Sequence, residues 1–168
     1  MKKFSASRLT VLTALIAAAY VALTYLSASF GLAFGQTQFR LSEALNILAA
    51  FTPAAIPGLT IGCFLSNLTS LFPLDILFGT LATLLTSVTI YLMSQRFKRS
   101  LPFISVIPPT IFNAVLVGLQ ITVFTDASAD FTLFILTAAS VAIGEIAVCS
   151  LLGIPLYYTL RKFNNKLF

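Results

Sequence analysis

Apolar residues fall into six stretches along this chain, separated by short polar or proline-marked breaks. The first runs from about Leu9 to Phe30, and a second, weaker one from Arg40 to about Phe51. Pro53 and Pro57 open a third that reaches about Leu71, and Pro73 turns into a fourth ending near Met93. The basic stretch Gln95–Ser100 follows, and Pro108–Pro109 start a fifth segment that ends near Phe124. Polar residues Thr125–Asp130 then lead into a sixth, from Phe131 to about Leu160. These runs are too long and too uniformly apolar for barrel strands, so each predicts a helix. The prolines at 57, 73 and 109 suit first turns, where no backbone donor is needed.

Composition turns six helices into six membrane spans. Hydrophobic residues make up 58% of the chain and charged residues 9%, with a mean hydropathy of +1.00. A soluble domain carries about 25% charge. A span takes about 20 residues, so six of them absorb nearly all of the 168 residues. The chain therefore reads as one domain, 1–168, with no soluble part.

The +5 net charge sits at segment ends: Lys2, Lys3 and Arg8; Arg96, Lys98 and Arg99; Arg161, Lys162 and Lys166. Clusters flanking apolar runs are cytoplasmic anchors under the positive-inside rule, and they give no nucleic-acid footprint. Six spans place all three clusters on one side and Thr125–Asp130 on the other. The expectation is an all-α integral membrane protein of the cell membrane, a compact bundle of six transmembrane helices with both termini cytoplasmic. Lys2, Lys3, the following apolar run and Ser27-Ala28-Ser29 also have the look of a cleavable leader. That run is long for a leader, and its removal would leave an odd number of spans. It is read as the first span.

Against this background three of the five acidic residues, Glu43, Asp75 and Glu145, lie inside or against apolar stretches. A carboxylate in a bilayer costs roughly 2.5–3.5 kcal/mol on insertion scales and persists where it pairs or binds something. Arg40, Glu43 and Asn46 recur every three residues and line one side of the second helix. They form an Arg40–Glu43 ion pair that seals the bundle, or leave Arg40 to snorkel to the headgroups, or make a carboxylate, amide and guanidinium set for the edge of a polar heterocycle. Asn67 falls late in the third helix. Asp75 opens the fourth, as a capping acid or a ligand. Asn113 and Gln120 share a face of the fifth. Glu145 lies roughly 20 Å along the sixth at 1.5 Å per residue, as a cavity floor or a structural partner.

Other features read as packing. Cys63 and Cys149 lack CxxC spacing and read as buried thiols. Gly58 and Gly62 form a GxxxG, read as helix packing. Ala14, Ala18 and Ala22 make a small-residue stripe on the first helix, for a neighbour within the bundle or a partner, with Tyr20 and Thr24 roughly opposite. Histidine is absent, and no nucleophile–base pair, HExxH or phosphate loop appears. No cofactor, metal site or enzymatic activity is expected.

The segments QFRLSEALN (Gln38–Asn46), FTPAAIPGLTIGCFLSN (Phe51–Asn67), DILFGTLATLL (Asp75–Leu85), PPTIFNAVLVGLQ (Pro108–Gln120) and VAIGEIAVCSLLGIPL (Val141–Leu156) resemble, in order and nearly end to end, the QueT family. Its members are S components of energy-coupling-factor (ECF) transporters for queuosine precursors. The resemblance implies a subunit that captures a deazaguanine from outside the cell. That subunit docks on a transmembrane T component driven by two ATPase subunits, and Ala14, Ala18 and Ala22 match the docking stripe. It makes Glu43 or Glu145 the reader of the guanine-like N–H edge. Asn67, Asn113 and Gln120 would read the neighbouring polar atoms, and Asp75 would suit a cationic aminomethyl group. The same architecture serves other vitamins, so a folate, pterin or thiamin S component is the first alternative; a stand-alone carrier or channel is the second.

Overall fold

The computed structural model describes residues 6–33, 38–70, 73–97, 101–125 and 131–167. Lys2, Lys3, Lys98, Arg99 and most of the Thr125–Asp130 stretch fall outside them. The described elements are all helical. In order they are α1 (Ala6–Ser29), a 3-10 helix (Leu41–Ala50), α2 (Ala55–Asn67), α3 (Leu74–Arg96) and the single turn α4 (Leu101–Ile104). Then come α5 (Ile107–Thr125), α6 (Phe131–Val148), a π-helical turn (Cys149–Gly153) and α7 (Ile154–Leu167).

Four helical stretches are long and apolar enough to cross a membrane: Ala6–Ser29, Leu74–Arg96, Leu101–Thr122 and Phe131–Phe163. The second and third predicted spans form helices but fall short of a straight crossing. The 3-10 helix has 10 residues and α2 has 13. At about 2.0 and 1.5 Å per residue each covers about 20 Å, against a hydrocarbon core of about 30 Å. The outer surface is apolar: Leu15, Leu77, Phe131 and Leu151 are all exposed. The interior is rich in polar side chains, among them Glu43, Asn46, Asn67, Asp75 and Gln120. That inversion of a soluble protein's order is what a bilayer solvent demands.

α1 packs on α2, α2 on α3, α3 on α5 and α5 on α6, while the 3-10 helix touches α1, α2, α3, α6, α7 and the π turn. The shortest of the major helices is therefore the central one. Close approach of α1 and α2 rests on the GxxxG. A Cβ at Gly58 would stand 2.9 Å from Thr13 O and one at Gly62 2.7 Å from Tyr20 Cβ. Ile16, Tyr20, Leu48, Leu59, Cys63 and Ile90 form the apolar core around this contact.

Two local signals set the rest. Gly31 has φ +72°, and Leu32 N–H donates to Ser27 O while Gly31 N–H donates to Ala28 O. This is a Schellman cap that ends α1 and reverses the chain. The sixth predicted helix is one long rod interrupted by the π turn. Pro155, just beyond that turn, offers no N–H for residue 151 and crowds its carbonyl, so the helix widens ahead of it.

Candidate functional site

The 3-10 helix turns every three residues, so the 40/43/46 spacing becomes a straight line of side chains pointing into the bundle. Glu43 and Asn46 are almost wholly buried. The Glu43 carboxylate accepts the Tyr20 hydroxyl of α1 on one oxygen and, on the other, Asn46 Nδ2 at 2.6 Å. Arg40 precedes the helix and is buried as well, so it does not snorkel to the headgroups. Its Nε donates to Ala33 O at 2.8 Å, and its charge interacts with both Glu43 and Asp75.

A second knot gathers on α3. The Asp75 carboxylate accepts the Ser70 hydroxyl and Gln120 Nε2 of α5, the latter at 2.5 Å. Asn67 Nδ2 donates to the Asp75 backbone carbonyl at 2.8 Å and contacts Cys63 Sγ at 3.4 Å. Asp75 therefore binds across the bundle, and no side chain caps the start of α3. Gly79, one turn further, leaves room for both knots to meet: a Cβ there would lie 2.7 Å from Asn67 Nδ2 and 3.6 Å from an Arg40 guanidinium nitrogen.

Glu145 joins from α6 through Cys149 of the π turn. The thiol lies 3.9 Å from Glu145 Oε2 and 3.8 Å from the Glu43 backbone carbonyl. Seven of the eight polar candidates, Arg40, Glu43, Asn46, Asn67, Asp75, Gln120 and Glu145, thus form one connected interior cluster. Asn113 is buried on the same face of α5 as Gln120. Tyr20, Ser70 and Cys149 belong to the cluster too. For Tyr20 a signal was present, a polar ring opposite the alanine stripe. Ser70 and Cys149 carried none.

Several of these groups keep bonding capacity in hand. Asn46 Oδ1, Asn67 Oδ1, Gln120 Oε1 and Asn113 Nδ2 find no hydrogen-bond partner. Leaving such atoms buried costs about 1–3 kcal/mol each. The gap beside Glu43, Asn46, Ser105, Cys149 and Gly153 measures only about 10 Å³, room for about one water. That gap by itself is too small for a bicyclic ligand. A larger space of about 460 Å³ opens between the end of α1 and α6, lined by Ser27, Phe30, Phe39 and Leu151 among others. It is apolar and offers nothing to read a polar ligand. Among the described residues no group of three or more Cys, Asp or Glu is placed to hold a metal ion.

A bundle with its polar side chains inside and its apolar ones outside suits a bilayer environment. Residues 10–162 match the family described as QueT transporter. The chain belongs to the QueT transporter family. It is 35% identical over 141 residues to "Queuosine precursor transporter QueT" of Lactococcus lactis subsp. cremoris (strain MG1363), covering 82% of this chain and 83% of that protein. No solved structure matches the chain. Membership makes this a multi-pass membrane transport protein rather than an enzyme. The family match spans all eight polar candidates and the alanine stripe. Ala14, Ala18 and Ala22 are exposed, whereas Tyr20 and Thr24 on the other side of α1 are buried.

Proposed function

We propose that this protein is the substrate-binding S component of an ECF importer and takes up a queuosine precursor of the deazaguanine class. The observation that carries the reading is the Glu43–Asn46 pair at the centre of the bundle, in a chain 35% identical to a queuosine precursor transporter. A guanine-like edge presents a ring N–H beside an exocyclic amine, and one carboxylate accepts both. Glu43 already receives two donors from the protein, and a ligand edge exchanges for them without leaving the charge unpaired. Glu145, Asn67, Asp75, Gln120 and Asn113 supply the remaining polar contacts, and Arg40 faces the ligand carbonyl.

In this reading all six helical segments cross or line the bilayer as a single unit, and both termini are cytoplasmic. Exposed Arg8, Arg96 and Arg161 sit at helix ends that would share the inner face. Energy comes from elsewhere. A T component and two ATPase subunits dock on the bundle, and the exposed Ala14, Ala18 and Ala22 provide the close-approach surface for the T component.

The test is ligand-induced thermal stabilisation of the detergent-purified protein. The panel holds the cyano and aminomethyl deazaguanines, guanine, folate, thiamin and riboflavin. A ligand at about a hundred times its Kd adds about 2.7 kcal/mol of stability, which a melting curve resolves. Stabilisation by a deazaguanine supports the assignment. Stabilisation by folate or thiamin instead keeps the S component and replaces its substrate. A flat response from folded protein removes the assignment and favours a solitary carrier or channel. Co-purification with T and ATPase subunits tests the coupling separately.

A further inference from the structure

We infer that the groove between α1 and α6 is a binding site for one acyl chain of a bilayer phospholipid, which completes the wall of the bundle there. The site lies apart from the Glu43–Asp75 cluster and does not depend on the substrate proposed above. α1, α2, α3, α5 and α6 pack in series. Among the described residues α1 and α6, the two ends of that series, do not close on one another as the other pairs do. The stretch 38–41 bridges them instead. Its Leu41 N–H donates to Ser27 Oγ of α1 at 2.9 Å, and a Cβ at Gly144 of α6 would stand 2.0 Å from the Gln38 carbonyl oxygen. Beside this bridge lies the space of about 460 Å³.

Its lining suits neither water nor a polar ligand. Ser27 is the one polar residue among those that line the space. Its hydroxyl is already engaged, donating to Leu23 O at 3.0 Å and accepting from Leu41 N–H. Water there would find no further partner, and an apolar cavity without partners stays dry. An empty one forfeits dispersion contacts along its walls. Hydrocarbon avoids both costs.

Two observations make the bilayer its source. The groove is continuous with the apolar outer surface: Phe30 and Leu32 beyond the end of α1, and Leu151 and Leu152 in the π turn, line it and are each at least 44% exposed. It also opens on the side of α1 that carries Tyr20, Thr24 and Ser27 at successive turns, away from Ala14, Ala18 and Ala22. A partner helix on the alanine stripe would leave the groove to lipid. Half-buried Phe39 and Leu41 line the groove and flank the buried Arg40. An acyl chain seated here therefore holds hydrocarbon against the layer that separates the guanidinium from the bilayer.

The chain contains no tryptophan, so a single introduced indole reports on its own surroundings. Phe39→Trp in the groove and Leu77→Trp on the exposed surface of α3 are reconstituted separately into vesicles of phosphatidylcholine brominated along one acyl chain, and into unbrominated vesicles. Bromine quenches an indole only at close range, and both variants are expected to lose emission by a comparable fraction. Ala147→Phe, which fills the groove from α6, should restore the emission of Phe39→Trp and leave the quenching of Leu77→Trp as it was. An unquenched Phe39→Trp beside a quenched Leu77→Trp overturns the inference and gives the groove to a partner helix or a second copy of the chain. Quenching that survives Ala147→Phe overturns it as well, since bromine then reaches position 39 by another route. Leu41→Trp and Leu152→Phe replace whichever variant does not fold.

Discussion

Tyr20 of α1 donates its hydroxyl to the carboxylate of Glu43, 23 positions away on the 3-10 helix, and both side chains are sealed from solvent. The bond ties the helix that carries the exposed alanine stripe to the one that carries the central acid. Tyr20→Phe removes one donor and leaves the buried carboxylate short of a partner. A loss of about 1–3 kcal/mol is expected, read as a lower melting temperature in detergent, with secondary structure retained. An unchanged melting curve would mean that the hydroxyl contributes nothing there.

Glu43→Gln keeps the shape of the side chain and removes its charge. Its amide nitrogen would meet the Asn46 NH2 or the Tyr20 hydroxyl, and it accepts only on one oxygen. Deazaguanine affinity should fall more than about tenfold, since a charge-assisted hydrogen bond is replaced by a neutral one. Titration of the purified variant measures this. An unaltered affinity would transfer the recognition role to Glu145.

The stripe makes a different prediction, because it lies on the exposed side of α1. Ala14, Ala18 and Ala22 are exposed, so Ala18→Leu should leave folding and ligand binding as they are. It should abolish co-purification with a T component and uptake by cells, since close helix approach needs small side chains. Uptake at the parent's rate would place the docking surface elsewhere.

Much of this was legible in the sequence for a simple reason: a bilayer makes each buried charge expensive, so Glu43, Asp75 and Glu145 stood out against their apolar surroundings. The spacing 40, 43, 46 announced a shared face, and it is also the period of a 3-10 helix, which the apolar pattern alone could not separate from an α-helix. Helix length was less legible. The run around residues 41–50 is the weaker one, and its polar side chains at 40, 43 and 46 pull it into the centre of the bundle, while turns shorten the run around 53–71. Pro155 sits inside the sixth run, where the apolar pattern reads one unbroken helix, and a proline predicts a defect without saying which kind. That Asp75 reaches Gln120, 45 positions away, depends on α3 packing against α5 and left no trace in local pattern.

Backbone crossings supply a sharp structural test. At Gly144 of α6 a Cβ would stand 2.0 Å from the carbonyl oxygen of Gln38, which belongs to the main chain and cannot swing aside. Gly144→Ala should therefore displace the 38–39 strand of chain and the Arg40–Glu43 line behind it. Overpacking of this kind costs about 1–3 kcal/mol or more. A lower yield of folded protein, or a markedly lower melting temperature, is expected.

Gly79 offers the contrasting case, because the obstacle there is the end of a side chain. An alanine Cβ would meet Asn67 Nδ2 at 2.7 Å, and that amide can rotate away. Gly79→Ala should fold, since alanine also favours the α-helix over glycine by roughly 1 kcal/mol. The displaced Asn67 would release the Asp75 carbonyl, to which it donates at 2.8 Å, and its free oxygen would no longer face the cluster. Near-parental thermal stability combined with weakened ligand binding is the expected signature. Loss of stability without loss of affinity would show that the gap at Gly79 serves packing between α2 and α3 and has no part in recognition.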